Sequence, residues 1–383
     1  MAKTFENVKM PADIRQKMMA AVSMLLVSSI MVVSSTYAWF TLSTAPEVQN
    51  ISTTVAGNGS LELALMPASG TFGEISSAAV GNDATAVAKN THWGNLIDLS
   101  DESYGLSLVT LNPAQLNLTA DGAFADATKP LAVAEYGFDG RIAQLTSNKI
   151  AVKARTASDA AFNTNAYGVR AIGETNDAGA IDLSDGKLAS YGYVVDLAVR
   201  LNAENASGST NTPGKLLLQT DEKQRIYNGD DASTNTETLG GGSYMVFKSN
   251  ETTLSTAGTT GLLQALRVTF VQNYGNAGAN SYTILGTARL DTSEGTLSTE
   301  GNKYPLYLYQ DTTKLEGADA VLLNSLPKNT AQQISAIVWL DGSQVKNANV
   351  AADALTSMAG KLNLQFTTDV ELKPAVNTSL KGE

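Results

Sequence analysis

Residues 193–201 read Tyr-Val-Val-Asp-Leu-Ala-Val-Arg-Leu. Tyr193, Val195, Leu197, Val199 and Leu201 fall on one side of a pleated chain, and the other side carries Asp196 and Arg200. That is the period-two pattern of a half-buried strand, one face on a core and one in water. The alternation recurs in Leu266, Val268 and Phe270 against Arg267 and Thr269, and in Ile334, Ala336, Val338 and Leu340. It returns in Leu362, Leu364 and Phe366 against Asn363 and Gln365. Two-faced strands of this kind predict an all-β fold, an elaborated antiparallel β-sandwich of jelly-roll type.

Turn chemistry separates the apolar runs. Gly57-Asn58-Gly59, Asp121-Gly122, Asp139-Gly140, Asp185-Gly186, Asn228-Gly229 and Asp341-Gly342 all tolerate positive φ and predict hairpins. One short helix is expected from Asn349, as N-cap, through Met358, ended by Gly360. Polar stretches at 70–89, 202–213 and 221–242 read as surface loops or small insertions. The expected organisation is a leader, 1–38, and one elaborated domain, 39–383, with loop-rich insertions about 67–130 and 202–262.

The chain of 383 residues is 43% apolar and 16% charged, with 32 glycines, a composition suited to a folded, turn-rich protein. Lys3, Lys9, Arg15 and Lys17 stand against Glu6 and Asp13 in the first 38 residues. Of the 26 basic and 37 acidic side chains, 22 and 35 therefore remain beyond them, a net −13. Nucleic-acid binding lacks its main electrostatic term in such a chain, and no nucleic-acid partner is expected. The absence of cysteine excludes disulfides, thiolate metal sites and thiol nucleophiles.

Uncharged residues run from Met18 to Tyr37, directly after Arg15 and Lys17. As a helix the run spans about 30 Å, enough for a bilayer core, with its basic flank on the cytoplasmic side. Thr36-Tyr37-Ala38 places small residues where a signal peptidase reads, so cleavage is expected between Ala38 and Trp39. The run is longer than an ordinary signal core, and a retained anchor is the alternative. Either way residues 18–37 meet the membrane before any cleavage, and the rest is expected outside the cell or at its surface.

Catalytic chemistry is not evident. His92 alone cannot build a histidine-based zinc site, and Gly240-Gly241-Gly242-Ser243 lacks the spacing of a phosphate loop and precedes a strand-like Tyr-Met-Val-Phe. Asp230-Asp231 and Asp182 with Asp185 match no EF-hand spacing. Tyr304, Tyr307 and Tyr309 alternate with Leu306 and Leu308 as in a strand covered on both faces, and Trp339 reads as core. No catalytic residue, cofactor or metal ligand is assigned.

The junction carries a resemblance. A small residue, Trp39-Phe40, a polar linker, Ile51-Ser52-Thr53-Thr54-Val55 and then Gly59-Ser60-Leu61-Glu62-Leu63 resemble the start of the mature chain in the TasA/camelysin family of exported proteins from Gram-positive bacteria. The likeness covers about residues 34–65, and this chain is longer than typical members. It implies a leader cut by a dedicated signal peptidase and a jelly-roll subunit of extracellular biofilm fibres. It also implies a freed segment, here 39–55, that completes the sheet of a second copy as a donor strand. Trp39, Phe40, Leu42, Val48 and Ile51 would then supply the apolar knobs of assembly, with other copies of the chain as partner. The physical basis is general: main-chain hydrogen bonds plus alternating side-chain pockets hold an added strand, and a head-to-tail contact that does not close builds a filament. The same residues also suit an ordinary first strand of their own subunit. A membrane-anchored surface adhesion or binding protein is the alternative function, and an exported protease-like enzyme a distant one.

Overall fold

A computed structural model describes residues 48–57, 61–67, 70–75, 92–94, 96–99, 109–136, 142–147, 150–152, 168–175, 188–202, 213–220, 223–226, 236–239, 242–249, 265–275, 281–290, 303–347 and 358–370. The leader and the helix read over 18–37 lie outside them, as do Asp139-Gly140, Asp185-Gly186 and Asn228-Gly229. Among the described residues no helix is long and apolar enough to cross a membrane.

The chain is all-β. Its first strands are β1 (Val48–Gly57), β2 (Leu61–Leu65), β3 (Leu96–Asp98), β4 (Val109–Leu111), β5 (Pro113–Leu116), β6 (Leu131–Tyr136) and β7 (Ile142–Thr146). Then come β8 (Ile150–Val152), β9 (Val169–Glu174), β10 (Leu188–Leu201), β11 (Gly214–Leu218), β12 (Lys223–Ile226), β13 (Thr236–Leu239) and β14 (Tyr244–Ser249). The last are β15 (Leu266–Gln272), β16 (Thr283–Leu290), β17 (Lys303–Gln310), β18 (Thr313–Leu315), β19 (Val321–Leu326), β20 (Gln332–Asp341) and β21 (Met358–Thr368), with a short helix α1 (Gly342–Asn347) before β21.

The strand ladder closes on itself. β10 pairs with β20, β20 with β15, β15 with β16, β16 with β17, β17 with β14 and β14 with β21, all antiparallel. The circuit then returns through β21 to β1, β1 to β4 and β4 to β10, where the β1–β21 and β4–β10 links are parallel. The sheet is therefore mixed, because strands distant in sequence meet without a hairpin to reverse them. Inside the circuit lies the main core, to which the ring strands send Val55, Leu111, Leu197, Val338, Val268, Ala288, Leu306, Met245 and Leu364. The alternating sets read from the sequence at 193–201, 266–270, 334–340 and 362–366 all face this core.

The second face of the central strands is also covered, which corrects the half-buried reading. Val194, Val271, Ile337 and Trp339 pack with Ala114, Phe124, Leu131, Ile150 and Ile172 in a second cluster. Ala64, Met66, Ile75, Trp93 and Ala198 form a third. Tyr274 and Tyr282 donate hydroxyl hydrogen bonds to Ala127 O (2.7 Å) and Phe124 O (3.1 Å), and so fasten the 117–130 loop over the second cluster. Its Asp121-Gly122 turn forms as expected, with Gly122 at φ +77°.

Other expectations shift. The loop-rich stretches 67–130 and 202–262 also carry strands, β3 to β5 in the first and β11 to β14 in the second. β12 and β13 form a hairpin of their own inside the polar 221–242 stretch, read as a surface loop or small insertion. Asp341-Gly342 opens α1 instead of a hairpin, Asp341 Oδ1 accepting from Ser343 N (3.0 Å) and Oγ (2.6 Å). Of the helix expected over 349–358, residues 349–357 lie outside the described residues. Met358 begins β21 and Gly360 lies within that strand, opposite Ile51 and Phe247.

Candidate assembly site

The site begins with the run Val-Gln-Asn-Ile-Ser-Thr-Thr-Val-Ala-Gly, 48–57, whose β-branched residues favour extended backbone. β1 is flanked on both edges. Along one it runs parallel to β21 from Gln49 to Gly57, with Thr53 opposite Leu362, Val55 opposite Leu364 and Gly57 opposite Phe366. The register shifts between Gln49 and Ile51, so Asn50 sits at an irregularity that lets the strand bend. Along the other edge Val48 and Gln49 meet Leu111 and Thr110 of β4, and Thr54, Val55 and Ala56 meet Asp98, Ile97 and Leu96 of β3. Val55 is fully buried in the main core. β1 thus fills a slot between the last described strand, β21, and the two short strands β3 and β4.

Of the residues assigned to cleavage and assembly, Ala38, Trp39, Phe40 and Leu42 lie outside the described residues. Val48 and Ile51 both fall in β1, opposite Leu111 and Gly360. Within one chain, therefore, the C-terminal part of the 39–55 segment pairs with its own subunit.

Sequence reading missed a second constellation, set between the second and third clusters. Asp196, with no exposed surface, accepts Arg170 Nε on Oδ2 (2.6 Å) and Nη2 on Oδ1 (2.9 Å), and Ser335 Oγ donates to Oδ1. Gln333 Nε2 donates to Tyr274 O (2.7 Å), and the Arg170 guanidinium lies 5.1 Å from the centre of the Tyr274 ring. Burial alone would push Arg170 down, but Asp196 outweighs it and holds the guanidinium above its ordinary value. Backbone joins in: Asp196 N donates to Gly168 O (2.6 Å) and Met66 N to Asp196 O (2.9 Å). One residue thus ties β2, β9, β10 and β20 together. The available signal was a single acid in one apolar run and a single base in another.

The remaining residues weighed from sequence take structural places. Trp93 is buried under the Arg200 guanidinium, 4.1 Å from its ring centre, and Arg200 pairs with Glu62 (2.7 Å). His92 precedes it, its Nδ1 buried without a hydrogen bond. Ser243 is buried at the start of β14, where its Oγ donates to Gln365 O (3.2 Å) and accepts from Gln365 N (2.9 Å). In β17 Leu306 and Leu308 enter the core, while Tyr307 and Tyr309 lie beneath Lys314 and Arg289 on the other face. Trp339 sits in the second cluster and donates from Nε1 to Thr269 Oγ1 (2.9 Å). Among the described residues no group of three or more histidine, aspartate or glutamate side chains is arranged to hold a metal ion.

No protein-family model, curated protein or solved structure matches the chain.

Proposed function

We propose that this chain is an extracellular structural subunit of a cell-surface or biofilm filament, a jelly-roll-like β-sandwich that joins its neighbours by β-strand addition. The observation that carries the reading is the seat of β1. It is the first described strand beyond the expected cleavage junction, it lies parallel to the last described strand, and both its edges are hydrogen-bonded. A strand held at one chain end can leave its slot and enter the equivalent slot of a second copy with every backbone partner reproduced, so the exchange costs little at equilibrium. Where each copy gives its strand to one neighbour and receives a strand from another, the contact is head-to-tail, and a rotation that does not close makes it a filament. Cleavage after Ala38 frees Trp39, Phe40 and Leu42 to travel with β1.

Electron microscopy of the exported protein tests this. Filaments are expected from the wild type without added ligand, and none from a folded variant lacking residues 39–50. Filaments from that variant would remove the donor role. N-terminal sequencing that finds the leader intact on solitary surface molecules would favour the anchored adhesion protein instead.

A further inference from the structure

Arg170, Arg200 and Arg267 each hold a carboxylate, those of Asp196, Glu62 and Asp341. Arg289 holds none among the described residues. Its guanidinium lies 3.8 Å from the centre of the Tyr309 ring, half-buried on β16, with Tyr307 directly opposite on β17. One step beyond the Val268–Ala288 pair, it stands beside Arg267 on β15. Like charges so placed across a ladder are destabilising. The nearby carboxylate of Asp341 is already engaged: Oδ1 takes Gln115 Nε2 (2.9 Å) and both Ser343 donors, and Oδ2 takes Arg267 Nη2 (3.2 Å). The fold thus seats a cation beside a buried cation and, among the described residues, supplies it with a ring but no anion.

A guanidinium held over a phenol ring has its place set by that ring, and its N–H groups suit a planar acceptor, for which a carboxylate is the matching shape. A source of carboxylates is at hand in the chain itself. Beyond residue 38 it carries 35 acidic against 22 basic side chains, so two copies repel over most of their surfaces and approach best where one presents a cation. We propose that Arg289, braced on Tyr309, is the cationic half of a contact between copies of this chain, taking an acidic side chain of the second copy in a bidentate pair. The contact needs no exchange of β1 and, unlike strand exchange, is screened by salt.

Sedimentation velocity on the full-length chain, at low and at high ionic strength, tests it with Arg289→Glu and Arg289→Gln. The wild type is expected to self-associate more strongly at low salt, and Arg289→Glu to weaken that association by about tenfold or more with an unchanged circular-dichroism spectrum. Should the glutamate variant misfold, the neutral, similarly shaped Arg289→Gln decides, and association equal to wild type overturns the proposal. Wild-type association indifferent to salt overturns it too. So does Arg289-dependent retention on an acidic polysaccharide with self-association unaltered, which would make the acceptor a glycan.

Discussion

Arg170 grips Asp196 side-on, Nε 2.6 Å from Oδ2 and Nη2 2.9 Å from Oδ1, inside a β protein where the aspartate has no solvent contact. Each charge is tolerated there only because the other is present. Asp196→Ala leaves a guanidinium buried without its counter-ion, and the expected loss is about 3–5 kcal/mol in equilibrium urea unfolding. Replacing both, as Arg170→Met with Asp196→Leu, is expected to recover most of it. An unchanged midpoint for Asp196→Ala would mean that the pair adds nothing to stability.

The glycine beside this pair is equally constrained. Gly168 has φ +76°, and a Cβ there would lie 2.7 Å from Asp196 O and 3.0 Å from Met66 N, both backbone atoms of paired strands. Gly168→Ala combines left-handed strain with a contact that cannot relax without moving a ladder. We expect a cost of about 1–3 kcal/mol, read as a lower denaturation midpoint. Gly122, also at positive φ but with nothing near its Cβ position, is expected to suffer less from the same change.

The β1 slot depends on its β21 wall. Phe366 is fully buried opposite Gly57, its ring 5.8 Å from that of Phe270 in an edge-on arrangement. Phe366→Ala should remove about 3–5 kcal/mol through lost burial and the cavity left behind. Leu145→Ala is the control: that side chain is 47% exposed, and its loss should stay within about 0.5 kcal/mol.

Alkali should destabilise the fold through two phenols. Tyr191 is raised by burial and by its hydrogen bond to Glu174, and Tyr274 by burial, against the opposing pull of Arg170. In the unfolded chain these phenols lose protons near pH 10. The folded chain holds them longer, so their contribution is complete below pH 10 and is lost as pH rises beyond it. Arg267 works the other way. Burial, resisted by Asp341 and aided by Arg289, lowers it to about 10, below its ordinary value, so its penalty eases as pH rises above 10. With two phenols against one guanidinium, stability should fall above pH 10, and less steeply in the double variant Tyr191→Phe/Tyr274→Phe. Equal slopes for wild type and double variant would exclude this origin.

Legibility in the sequence tracked strand length and covering. Alternation over 193–201 and 334–340 gave away both the strands and their main-core faces, because a pleat repeats every second residue. β4 has three residues and β5 four, too few for a period, although β4 closes the hydrogen-bonded circuit. Of the residues assigned to assembly, Val48 and Ile51 were legible as strand. The identity of their neighbours was not, since Ile51 meets Gly360 and Val48 meets Leu111, far along the chain.

Periodicity and turn residues alone determined that this chain is built of strands, and which side chains of its long strands enter the core, for both follow from local backbone geometry. Only tertiary structure decided that Asp196 is buried instead of wet, that β1 lies parallel to β21, and that Arg289 meets a tyrosine ring and no carboxylate among the described residues. Each depends on which distant segment covers a face or completes an edge, and that choice belongs to the packing of the whole chain.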